Sequence, residues 1–263
     1  MKRFLPLTFL LCATPLLAQP GPPPEGEQGG PGRPQRAYAN PSALIAADIA
    51  FARLAREKGL WTAFRETAAE TAEMFDGKRV HAKDLLKDRK DPAEPFQWAP
   101  RAAWIACDGS AGLTIGGASY PGGGNGEYVT VWERQFKGKQ PWKWALDDGT
   151  RLAKALPELD WVQGTVADCP VRRRPEGEVP PQPGSRRERK EQDKAAPMIP
   201  LAGPLPASDA PAGADSKTGQ SRDGSLAWRS TVLPDGSRHH TAWIWKDGAM
   251  KPVFDRVFPA NGA

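Results

Sequence analysis

The sequence predicts an α+β protein: a strongly curved antiparallel sheet wrapped around N-terminal helices into a cone, with a C-terminal β appendage. Three observations predict it. Gly126-Glu-Tyr-Val-Thr-Val-Trp-Glu-Arg-Gln135 and, after a short turn, Trp142-Lys-Trp-Ala-Leu-Asp-Asp-Gly149 read as two long, aromatic-rich strands. Upstream lies a helix pair over Pro41–Lys58 and 60–69, placed to close such a sheet. Downstream, two Asp-Gly turns separate three further strand-like runs.

The elements follow in order. Lys2 and Arg3 precede a short apolar run ending in Ala18, the pattern of a secretory signal peptide cut after Ala18 (1–18). Cys12 follows Leu11, whereas a lipoprotein site has a small residue before its cysteine. Residues 19–39 are a Pro/Gly-rich tether without the branched apolar side chains a core needs. Asn40-Pro41-Ser42 starts the first helix with an Asn N-cap and Pro at the first position. Leu44, Phe51 and Ala55 recur on one face, and Gly59 ends the helix. The second helix sets Trp61 and Phe64 on one side. A short strand over 72–75 turns at Asp76-Gly77, a third helix covers 82–88, and Asp91-Pro92 and Glu94-Pro95 break the chain. A meander of four strands follows over 97–107, 113–120, 127–136 and 142–148. Residues 151–169 read as a tail, and 170–224, without an aromatic residue, as a disordered linker. Residues 225–258 hold three strands around Pro234-Asp-Gly236 and Asp247-Gly248, too few to be stable alone and so expected to dock on the main sheet.

This succession of two helices, short strand, short helix and four longer strands over 40–150 resembles the nuclear transport factor 2-like superfamily, with its SnoaL-like and ketosteroid-isomerase-like members. The resemblance covers under half of the chain. It implies a cone with an internal pocket and a homodimer. It leaves function open, because one scaffold hosts enzymes, binders and dimerisation modules.

Export fixes several expectations. The protein is periplasmic or secreted, and after cleavage Cys107 and Cys169 remain as a pair expected to oxidise. Loss of Lys2 and Arg3 lowers the formal charge from +5 to +3, too small an excess to point to nucleic acid. No later segment is long and apolar enough to insert into a membrane.

For chemistry, ketosteroid-isomerase-like catalysis needs a base, a desolvated pocket and a neutral donor to an oxyanion. Tyr120 and Tyr128 stand at strand ends, and neither aligns with the isomerase tyrosine. Asp48 lies between Leu44 and Phe51 on the apolar helix face, either as a pocket acid with a raised pKa or as a solvated edge residue. In resembling SnoaL-like sequences that position is commonly acidic. Strand alternation puts Trp142, Trp144 and Asp148 on one face and Lys143, Ala145 and Asp147 on the other. Resembling sequences end such a strand in aspartate, an apolar residue and glycine. Asp148 occupies the apolar place, so Asp147 is the better candidate and Asp148 reads as a solvated strand end. Trp61, Phe64, Trp98, Trp132 and Trp144 are candidate pocket walls, Trp98 foremost, with a structural core as the alternative. His81 stands alone, and His239 and His240 diverge from one strand, so no metal and no cofactor is expected. Ser110 and the glycines at 116, 117 and 122–124 read as turn, bulge and loop residues. The first expectation is non-catalytic binding of a small apolar ligand. An acid–base isomerase or hydratase using Asp48 or Asp147 is the second, and a structural dimerisation or protein-interaction module the third.

Overall fold

The computed structural model describes residues 39–135, 141–169 and 205–260. The expected signal segment, nearly all of the expected tether and residues 170–204 of the expected linker lie outside the described residues.

Helix α1 is Pro41–Lys58, and the Asn40 carboxamide oxygen accepts the Ser42 amide at 3.0 Å, satisfying a donor left free by the first helical turn. Helix α2, Leu60–Thr67, follows Gly59, whose φ of 107° suits a residue without a Cβ. No side chain next to α2 caps it. Asp91 does so from thirty residues away, accepting the Trp61 and Thr62 amides at 2.5 and 3.0 Å. The sequence marks Asp91 only as a chain break.

Strands β1 (Ala68–Phe75) and β2 (Arg79–His81) and helix α3 (Ala82–Leu86) come next. The meander is β3 (Gln97–Ile105), β4 (Ala111–Ser119), β5 (Asn125–Arg134) and β6 (Trp142–Leu152), and β7 (Gln163–Val166) lies within the expected tail. Together they form one large curved sheet in the order β2-β1-β6-β5-β4-β3-β7. The fold is thus mixed α+β. The sheet is not wholly antiparallel as expected, because β1 runs parallel to β6 and β7 parallel to β3. Neither pair is joined by a hairpin, which is the connection that enforces antiparallel pairing.

The C-terminal residues form a second sheet of four strands, not three: β8 (Asp215–Gln220), β9 (Leu226–Val232), β10 (Arg238–Lys246) and β11 (Ala249–Phe258), ordered β11-β10-β9-β8. Strand β8 falls in the range read as linker. It pairs antiparallel with β9 through its backbone and leaves its side chains mostly exposed. An edge strand of this kind needs no large apolar residues, so composition does not announce it.

Three layers result. On one face of the first sheet, Leu44, Phe51 and Phe64 of the helices pack with Trp98, Trp132 and Trp144. On the other, Leu113, Val129, Val131 and Leu146 pack with Ala242, Phe254 and Phe258 of the second sheet. Cys107 and Cys169 form a disulfide just past the ends of β3 and β7.

Candidate functional site

The helix-side face of β4, β5 and β6 carries the polar residues of interest. Thr114, Thr130 and Asp147 are register partners across these strands, and so are Gly116, Tyr128 and Gly149. A β-bulge decides which aspartate faces inward. Trp132 pairs with Trp144 but Val131 with Leu146, so Ala145 is extra on β6. The bulge resets the alternation, and Asp147 shares the inner face with Trp142 and Trp144 while Asp148 turns to the other. Simple alternation gives the opposite grouping and is corrected here.

Asp48 is fully buried. It accepts the Trp98 indole N–H at 3.0 Å and the Tyr128 hydroxyl at 2.9 Å, and Thr114 also bonds to it. Thr114 in turn accepts the Trp132 indole N–H at 2.9 Å. Burial pushes the Asp48 carboxyl up to about 6, against the pull of these three donors. The same burial, with Asp48 beside it, holds the Tyr128 hydroxyl well above its ordinary value. Tyr128 reaches Asp48 because its ring lies over Gly116, where a Cβ would stand 2.5 Å from the ring.

Next to this network is a cavity of about 210 Å³ between α2, β1 and the inner face of the sheet. Trp61, Phe64, Phe96, Trp98, Tyr120 and Tyr128 line it, and Asp147 belongs to its wall. Asp147 accepts the Thr130 hydroxyl at 2.6 Å. Burial pushes its carboxyl up to about 7, with Thr130 opposing and the charges of Asp148 and Asp48 adding to the rise. Of the residues singled out in the sequence, Trp61, Phe64, Trp98, Tyr120, Tyr128 and Asp147 meet at this cavity, and Asp148 touches its edge. Asp48 stands behind the wall as its anchor. Trp132 and Trp144 are not part of it: Trp144 is core, donating to the Phe64 carbonyl and the Thr67 hydroxyl, and Trp132 borders a separate groove along α1.

Asp148 is not a solvated strand end. It is buried between the two sheets, taking Arg238 Nε at 2.7 Å, Arg238 Nη2 at 3.2 Å and His240 Nε2 at 2.6 Å. His239 points away to Asp255, as alternation requires. The partner of Asp148 is supplied by β10, some ninety residues later, and no local signal marks the pairing. Ser110 is a turn residue that also accepts the Arg222 amide through Oγ at 3.0 Å. Among the described residues no group of three or more His, Cys, Asp or Glu side chains is arranged to hold a metal ion.

No family model matches the chain, and no curated protein matches its sequence. Among solved structures it is similar to a candidate ketosteroid isomerase from Parabacteroides distasonis, at 13% identity and a TM-score of 0.35, covering 46% of this chain and 94% of that one. It is also similar to the CaMKII hub of S. rosetta, at 14% identity and a TM-score of 0.34, covering 47% of this chain and 100% of that one. At this level the likeness concerns the arrangement of helices and sheet in less than half of the chain, and nothing of function comes with it.

Proposed function

We propose that the chain is an exported protein that binds a small, largely apolar molecule in the aromatic cavity of its first sheet, which the helices close as a cone. The single observation that carries this reading is the cavity: open space beside Trp61, Phe64, Trp98 and Tyr128. A module filled by its own tryptophans accounts for Trp132 and Trp144 but not for that space. Export is supported by the N-terminal pattern and by the disulfide, which persists in an oxidising compartment. A homodimer is what the superfamily resemblance implies.

Asp147 favours a second reading, acid–base isomerisation or hydration in the same cavity. A carboxyl that titrates near 7 inside an apolar pocket can both take and return a proton at neutral pH. Asp48, consumed by three donors, positions Trp98 and Tyr128 instead of meeting the ligand.

Native mass spectrometry of protein purified from a periplasm, compared with its denatured mass, tests the binding reading. A non-covalent mass excess is expected, and its value begins the identification of the ligand. A clean unliganded mass counts against tight binding. For the catalytic reading, Asp147→Asn removes any discovered turnover while leaving the fold intact, and undiminished turnover in that variant rejects it.

A further inference from the structure

Asp147 is a cavity carboxyl without a counter-ion. Its hydrogen-bond partner is the neutral Thr130 hydroxyl, and it makes no ion pair among the described residues. The neighbouring acids are matched. Asp148 has Arg238 and His240, Glu127 has Arg256 at 3.9 Å, and Asp48 has its three neutral donors. Around Asp147 the walls are largely aromatic, with Trp61, Phe64, Phe96, Trp98 and Tyr120, and the other charged residues in the lining are Arg89, Glu127 and Asp148. The faces of such rings attract cations. Two of these rings already hold one, Arg89 lying 4.7 Å from the Trp61 centroid and Arg151 4.1 Å from that of Tyr120.

We infer that the cavity takes a small organic cation, an ammonium group with apolar substituents, whose charge rests against Asp147 and whose substituents lie on the aromatic walls. This rests on the reading of the cavity as a binding site and names the class of its ligand. An anion would meet Asp147, with Asp48 and Asp148 close behind it. A neutral apolar ligand would gain nothing from the carboxyl, which it would cover and leave to take up a proton, because buried charge without a partner is unfavourable. A cation is the ligand that resolves both. Arg89 also lines the cavity but lies over the Trp61 ring and makes no ion pair with Asp147.

The test titrates the full chain with benzyltrimethylammonium, benzyl alcohol and benzoate, read by the change in intrinsic tryptophan fluorescence, to which Trp61 and Trp98 in the cavity wall contribute. The cation is expected to bind about tenfold more tightly than the alcohol, the scale of a desolvated cation–aromatic contact, and Asp147→Asn is expected to erase that advantage. Equal binding of cation and alcohol, or preferential binding of benzoate, overturns the cation assignment and leaves the cavity as a binding site. Binding of none of the three overturns both. Should the variant fail to fold, the comparison of the three probes on the unaltered chain decides the matter.

Discussion

Asp147 and Asp148 are neighbours in sequence and opposites in environment. Asp148 faces the second sheet and is held by a two-pronged Arg238 and by His240, so its charge is matched. Asp147 faces the helices, has one neutral donor and borders open space. The first arrangement is what a protein needs to keep a buried carboxylate in a layer interface. The second is unfavourable for stability and is the kind of site that chemistry or binding requires. The two faces of one strand thus separate a structural role from a functional one.

The largest expected effect breaks the matched side. Arg238→Met leaves Asp148 buried without its guanidinium, and the loss of one partner of a buried pair is expected to cost about 3–5 kcal/mol in chemical denaturation. A loss below 1 kcal/mol would show that Asp148 is solvated after all.

The unmatched side should respond in the opposite direction. The Asp147 carboxyl sits at about 7 in the folded protein against 3.8 for the free group, so the folded state binds its proton more tightly than the unfolded chain does. Its ionisation therefore weakens folding as pH rises from about 4 through 7, and the penalty is complete above 7. Asp147→Asn should stabilise the protein at pH 8 by an amount bounded at about 4 kcal/mol, from 1.36 kcal/mol per pH unit. The gain should fall away towards pH 4 and vanish by about pH 3, where the wild-type carboxyl is protonated in both states. Denaturation curves at the two pH values check this, and a destabilised variant at pH 8 would refute the unpaired assignment.

A smaller effect sharpens the account of the cavity wall. In Gly116→Ala the new Cβ meets the Ala99 carbonyl and the Tyr128 ring. Overpacking of this kind is expected to cost about 1–3 kcal/mol and to displace Tyr128 from Asp48. The near-ultraviolet circular dichroism of the tyrosine and tryptophan bands reads that displacement, and an unchanged spectrum would show that Gly116 is not needed for the contact.

Much of this architecture is legible in the chain. Apolar periodicity and the Asn40–Pro41 start define α1 to its observed ends, and the paired aromatic runs define β5 and β6 to within a few residues. Asp147 was separable from Asp148 only through the superfamily resemblance. Alternation alone groups it away from Trp144, because a bulge at Ala145 is invisible to a two-residue period. Strand β8 and the Asp91 cap escaped for a related reason. One is an edge strand held by backbone bonds, and the other acts across thirty residues on a helix it does not adjoin.

The sequence by itself determined most of the local elements, the pairing of Cys107 with Cys169 and the presence of an acid on the apolar face of α1. These depend on side-chain periodicity, turn chemistry and composition, all of which are local. Only the tertiary structure decided that Asp48 anchors a wall, that Asp147 faces a cavity and that Asp148 is neutralised by β10. Those roles depend on what each carboxyl meets: the partners of Asp48 and Asp148 come from strands fifty to about ninety residues away, and that of Asp147 from the neighbouring strand. A charge acquires its chemistry from the solvent and counter-ions that folding leaves around it.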